Sequence, residues 1–151
     1  MSSELVKRIL GLERRLDRLK LPELGPQPVF LDDPYTNADF DGDSFSDVAV
    51  HTKIENTSWS TTVPATAKAL IIRADVRDSG SGATTGLYFR IYSTSTSTYP
   101  AMILRPSGKA NDTYVSNSGV VPCTDGDIWY RVNASGANTM DVFLYVVGYW
   151  V

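Results

Sequence analysis

The chain has 151 residues, 42% of them hydrophobic and 21% charged, with a formal net charge of −3. This length and composition fit one globular domain with an appendage and exclude a disordered chain. A single cysteine, Cys123, excludes an intrachain disulfide, and no apolar run approaches the length of a membrane span, so membrane insertion is not expected.

Taken in chain order, the first signal is a heptad. Leu5, Ile9, Leu12, Leu16 and Leu19 are spaced 4, 3, 4 and 3 residues apart. Ile9 and Leu16 fall at a positions, and Leu5, Leu12 and Leu19 at d, a seam that is useful only against another helix. Ser2 or Ser3 can cap this helix, and Glu4 suits its first-turn dipole. Arg8 falls at g and Glu13 at the following e, so the two can pair between parallel chains. The stretch Arg8-Ile9-Leu10-Gly11-Leu12-Glu13 resembles the Arg-h-x-x-h-Glu pattern of short three-stranded coiled coils. Residues 1–21 therefore read as an α-helical coiled-coil stem of a homotrimer, only about 25 Å long. A helix this short is marginal alone, so the rest of the chain must help hold the copies together. The same segment lacks the apolar core of a secretory signal, and none is expected. Pro22, Pro26 and Pro28 predict an extended linker over residues 22–34.

Residues 35–151 read as an all-β head. Within it, Asp39, Asp41 and Asp43 alternate as carboxylates do in calcium loops. Gly42 falls one place too early for an EF-hand loop and no Glu closes it, so a solvated turn is expected and no metal. From residue 46 the apolar period becomes 2, with candidate strands at 46–54, 68–77, 86–93, 99–105, 112–116, 118–122, 127–134 and 140–151. Asp78-Ser79-Gly80-Ser81-Gly82, Pro106-Ser107-Gly108 and Ser135-Gly136-Ala137-Asn138 are the clearest turns between them. About eight short strands with no later helix predict an antiparallel β-sandwich of jelly-roll type.

Alternation separates two sets of side chains. Leu70, Ile72, Ala74, Val76, Leu87, Phe89, Ile91, Met102, Leu104, Ile128, Tyr130 and Val132 are the expected core. The last strand, apolar at nearly every position from Val142 to Val151, is expected to be buried on both faces. The alternate set is Arg73, Asp75, Arg77, Tyr88, Arg90, Tyr92, Arg105, Trp129 and Arg131. Aromatics and arginines are enriched at protein interfaces, so these residues are read as one face that forms the subunit interface. A ligand surface for sugars is the alternative, with aromatic rings stacking on the sugar and Arg and Asp bonding its hydroxyls.

Charge and catalytic inventory narrow the partners. Residues 1–20 carry six Lys/Arg against three acids, while the remainder carries eight against fourteen, so the stem is +3 and the rest −6. An acidic head argues against nucleic acid as a partner. His51 is the only histidine and is expected to be structural. No Gly-x-Ser-x-Gly elbow, phosphate loop, dinucleotide fingerprint or His/Cys zinc set is present, so no enzymatic activity and no cofactor are expected.

Four stretches carry a family resemblance: Val63-Pro64-Ala65 leading into Lys68-Ala69-Leu70-Ile71-Ile72-Arg73; Val76-Arg77-Asp78-Ser79-Gly80-Ser81; Val121-Pro122-Cys123 with Gly126-Asp127-Ile128-Trp129-Tyr130; and Ala134-Ser135-Gly136 through Asp141-Val142 to Gly148-Tyr149-Trp150. Over roughly residues 40–151 the chain resembles phage and virus-like tail-fibre or virion-surface knob proteins. The resemblance implies a homotrimeric, non-enzymatic virion protein, on the particle surface or tail, that adheres to a host receptor, with a glycan as the expected ligand. It implies other virion proteins as partners of the N-terminal stem, and it carries over no particular binding residue. A capsid-decorating protein without a receptor, and less so a polysaccharide hydrolase, are the alternatives.

Overall fold

The computed structural model describes residues 25–36, 51–55 and 63–151. The stem residues Leu5, Arg8, Ile9, Leu12, Glu13, Leu16 and Leu19, and the acidic stretch with Asp39, Asp41 and Asp43, lie outside the described residues. Eight strands follow one another: β1 (Pro28–Thr36), β2 (Thr52–Ile54), β3 (Ala69–Asp78), β4 (Tyr88–Tyr92), β5 (Met102–Leu104), β6 (Val115–Pro122), β7 (Ile128–Asn133) and β8 (Met140–Trp150).

The strands form two antiparallel four-stranded sheets, ordered β1-β8-β3-β6 and β2-β7-β4-β5. The first strand pairs with the last, the second with the seventh, the third with the sixth and the fourth with the fifth. That is the pairing of one long hairpin rolled on itself, the strand order of an eight-stranded jelly roll.

Period-2 alternation fills the space between the sheets. All twelve side chains expected in the core, from Leu70 to Val132, are buried, joined by Met140, Val142, Leu144 and Val146 of β8. Burying large apolar side chains such as Phe89 or Leu144 stabilises the fold by roughly 1.5–3 kcal/mol each. Strand β8 departs from expectation. It lies between β1 and β3, yet only its inner face is fully covered, and Phe143 on the outer face is 37% exposed. The apolar run reflects an aromatic outer surface rather than two covered faces.

Two further expectations are corrected. Residues 28–34, read as linker, belong to β1, which pairs with β8 from Pro28↔Trp150 onward. Pro28 and Pro34 are tolerated there because β1 is an edge strand, where a missing N–H breaks no ladder on the open side. The expected break between residues 116 and 118 is absent. Strand β6 runs unbroken against β3, from Val115 opposite Val76 to Pro122 opposite Ala69.

Close approach and turn chemistry fix the register. Gly148 faces Phe30 on one side and Ile71 on the other, where the β3 ladder shifts by one residue. A Cβ there would lie 2.5 Å from the Val29 carbonyl oxygen and 3.3 Å from Phe30 Cα, so glycine lets the β1 backbone approach β8 closely. Between β6 and β7, Asp125 and Gly126 both take positive φ, 56° and 78°, and close a tight turn bridged by Thr124 and Asp127.

The loops β3–β4, β5–β6 and β7–β8 are sewn together around one buried carboxylate. Asp78 is fully buried. Its Oδ1 accepts the Gly80 N–H at 2.8 Å, and its Oδ2 accepts the Ser135 N–H at 3.0 Å and the Thr139 hydroxyl at 3.2 Å. Its carbonyl accepts the N–H of Asp112 at 3.1 Å. Ser81, also fully buried, donates to the Ala110 carbonyl at 3.1 Å. A Cβ on Gly80 would sit 2.7 Å from Ser135 Cβ, so this knot requires glycine.

Asp78→Ala strands three donors at once. Urea unfolding should show a loss of about 3 kcal/mol, with Asp78→Asn losing less because it keeps an acceptor.

Candidate functional site

The alternation that sends one set of side chains inward sends the other to two separate surfaces. Arg73, Asp75 and Arg77 lie on β3, in the β1-β8-β3-β6 sheet. Tyr88, Arg90 and Tyr92 lie on β4, and Trp129 and Arg131 on β7, in the β2-β7-β4-β5 sheet, with Arg105 just after β5. The nine residues read as one face therefore divide between the two sheets, on opposite sides of the core. Periodicity reports inward or outward along a strand, but not which sheet the strand joins.

On the first sheet, charge and aromatic groups answer one another across the ladder. Tyr145, Phe143 and Asp141 of β8 stand opposite Arg73, Asp75 and Arg77, and Ser118 and Ser116 of β6 stand opposite Arg73 and Asp75. The Arg73 guanidinium pairs with Asp75 Oδ2 at 3.1 Å and lies 5.5 Å from the Tyr145 ring centroid. Arg77 pairs through Nε with Asp141 and lies 5.1 Å from the Tyr114 ring centroid. The Asp141 hydrogen bond, more than its charge, raises the Arg77 pKa above the ordinary value. Tyr114 and Phe143 face each other at 6.1 Å. Together Arg73, Asp75, Tyr114, Ser116, Phe143 and Tyr145 line a groove of about 310 Å³. Asp75 is buried at its side, with Oδ2 held by Arg73 and no hydrogen-bond partner at Oδ1. Ring faces beside Arg, Asp and Ser can take a flat polyhydroxylated ring. The sequence reading held Arg73 and Asp75 but missed Tyr114, Ser116, Phe143 and Tyr145. The signal for Phe143 and Tyr145 was their odd parity on β8, which an unbroken apolar run concealed.

On the second sheet, the outer face is partly closed by the chain itself. Tyr92 is 1% exposed. The His51 ring packs edge-on against it, with centroids 4.2 Å apart, and His51 Nδ1 donates to the Ser95 carbonyl. Tyr92, read from the sequence as part of a subunit interface, is thus already buried within a single copy. The same contacts give His51 a packing partner and a backbone tether. Lys53, opposite Trp129, pairs with Asp127 at 2.7 Å and with Glu55 at 3.5 Å. The Asp127 hydrogen bond raises the Lys53 pKa, partly offset by desolvation. Arg90 stands directly opposite Arg131 and stacks on Tyr88, 3.8 Å from the ring centroid.

Cys123 belongs to the core edge. It is buried, and its Sγ donates to the Ala67 carbonyl at 3.4 Å. Desolvation pushes the thiol up to about 11, from an ordinary 9.0, so it stays protonated at neutral pH.

No protein-family model matches the chain, and no curated protein matches it. Among solved structures, the chain is similar to the coat protein of tobacco streak virus, with 15% identity covering 87% of each chain at a TM-score of 0.38. A likeness of that size carries no argument about function.

The Cys123 environment has a direct consequence. At pH 8 the native thiol should react with a disulfide reagent about 100-fold more slowly than the same thiol in denaturant, as two pKa units of lost thiolate require. Equal rates would show an accessible thiolate.

Proposed function

We propose that this protein is a non-enzymatic virion structural protein that assembles as a homotrimer and adheres to a glycan on the host surface. One juxtaposition carries the reading: a heptad seam over residues 1–21 joined to a head whose strands pair first with last. The seam demands neighbouring copies. The head's strand order recurs in viral capsid and lectin domains, which supports the reading by analogy of fold.

The groove on the β1-β8-β3-β6 sheet supplies the adhesive chemistry. Tyr114, Phe143 and Tyr145 offer ring faces, and Arg73, Asp75 and Ser116 offer groups for hydroxyls. A shallow site of this kind binds weakly, and three copies on one stem convert weak contacts into avidity. The basic stem, +3 over residues 1–20, is the part that meets other virion proteins, leaving the acidic head outward. His51, engaged with Ser95 and Tyr92, fits packing better than proton transfer.

Light scattering on the full chain should give about three times the 16.6 kDa chain mass. A monomer at micromolar concentration would contradict the assembly. On a glycan array the trimer should give hits that Phe143→Ala weakens by about tenfold, the loss of one stacked ring. A trimer with no hits would leave decoration of the particle, without a receptor, as the function.

A further inference from the structure

The two outer faces differ in how their cations are satisfied. On the first sheet Arg73 meets Asp75 and Arg77 meets Asp141, and at the edge of the second Lys53 meets Asp127 and Glu55. Arg90, Arg105 and Arg131 differ: among the described residues none stands within ion-pair distance of a carboxylate. Arg90 and Arg131 are direct partners across β4 and β7, and like charges placed opposite one another repel. Both side chains are half-buried, and each has a buried Nε with no hydrogen-bond partner. Half-buried guanidinium groups that lack an acceptor are costly unless something supplies one.

Beside them is a cleft of about 270 Å³ lined by Gly86, Leu87, Tyr88, Arg90, Arg105 and Ser107. Its serine is engaged with the backbone. The Ser107 hydroxyl oxygen accepts the Leu87 N–H at 2.7 Å, and the hydroxyl donates back to the Leu87 carbonyl at 3.3 Å. The charged groups that line it are both cations, Arg90 and Arg105, with Arg90 held in place against Tyr88. Planar guanidinium forks match the paired oxygens of a carboxylate or sulfate. The size suits one sugar ring, and the −6 charge of the rest of the chain disfavours a long polyanion such as nucleic acid.

We propose that Arg90 and Arg105, which line this cleft, with Arg131 across the ladder from Arg90, form an anion site on the outer face of the β2-β7-β4-β5 sheet that takes the carboxylate or sulfate of an acidic saccharide. The site is distinct from the Phe143 groove, and only the saccharide, not the anion, rests on the adhesive reading.

Calorimetric titration of the full chain with a uronic-acid tetrasaccharide and with a sulfated tetrasaccharide tests it, with the carboxyl-reduced uronate as the neutral control. The expected result is saturable binding to at least one acidic ligand, none to the neutral one, and weakening as salt rises. Arg105→Gln, at an exposed position, and Arg90→Gln should each weaken binding by about tenfold or more, while Lys68→Gln, at an exposed position before β3 and outside both clefts, leaves it unchanged. Comparable binding of the neutral sugar, or an Arg105→Gln protein that binds as the parent does, overturns the site. If inorganic sulfate raises the melting temperature while neither tetrasaccharide binds, the saccharide assignment is wrong. If no ligand binds and Arg105→Gln or Arg90→Gln dissociates the oligomer, the acceptor is a carboxylate of a second copy and the proposal fails. Solution mass reports the trimer separately, so loss of one reading does not mimic loss of the other.

Discussion

The insertion of β8 between β1 and β3 is the constraint on which the rest of the molecule depends. It joins the C-terminal strand to the first strand and to the centre of the same sheet. Its inner side chains, Met140, Val142, Leu144 and Val146, are buried in the core. Its outer side chains, Asp141, Phe143 and Tyr145, stand opposite the arginines and Asp75 of β3, and Phe143 and Tyr145 complete the groove. Register therefore couples packing to chemistry. A one-residue slip would expose Leu144 and bury Asp141 without a partner. Gly148 guards against that slip, because a Cβ at that position would clash with the backbone of β1.

The second constraint is the buried Asp78 knot. It binds three loops that otherwise share no ladder, holding Gly80, Asp112, Ser135 and Thr139 through its carboxylate and carbonyl. A carboxyl group so deep is tolerable because each oxygen is met by donors. Turn residues that look generic in the sequence, Asp78, Gly80 and Ser135, are thus the framework of one end of the sandwich.

Much of the fold was legible because strand alternation is a local signal. Leu70, Ile72, Ala74 and Val76 announce an inner face without reference to any other strand, and every expected core position is buried. What local patterning lacks is pairing. Arg73 and Arg90 both read as outward, yet they belong to different sheets because β3 joins β8 and β6 while β4 joins β7 and β5. Strand β1 was hidden by prolines, which disfavour a central strand but not an edge. Tyr92 read as exposed because nothing local shows that His51 closes over it. The Asp125-Gly126 pair was a readable turn signal between β6 and β7, since both residues take the left-handed conformation a tight hairpin needs. The heptad seam and the acidic stretch lie outside the described residues, so the stem rests on its spacing alone.

Strands β8 and β7 lie inside the two sheets that close on one core, flanked on both sides by ladder partners. Amide hydrogen exchange followed by NMR reads out that threading strand by strand. Residues 142–146 of β8 and 128–132 of β7 should exchange only through global unfolding, more slowly than amides of β5 and β6 at the sheet edges. Exchange in β8 as fast as in the edge strands would mean that it is not the threaded central strand, and both outer faces would have to be redrawn.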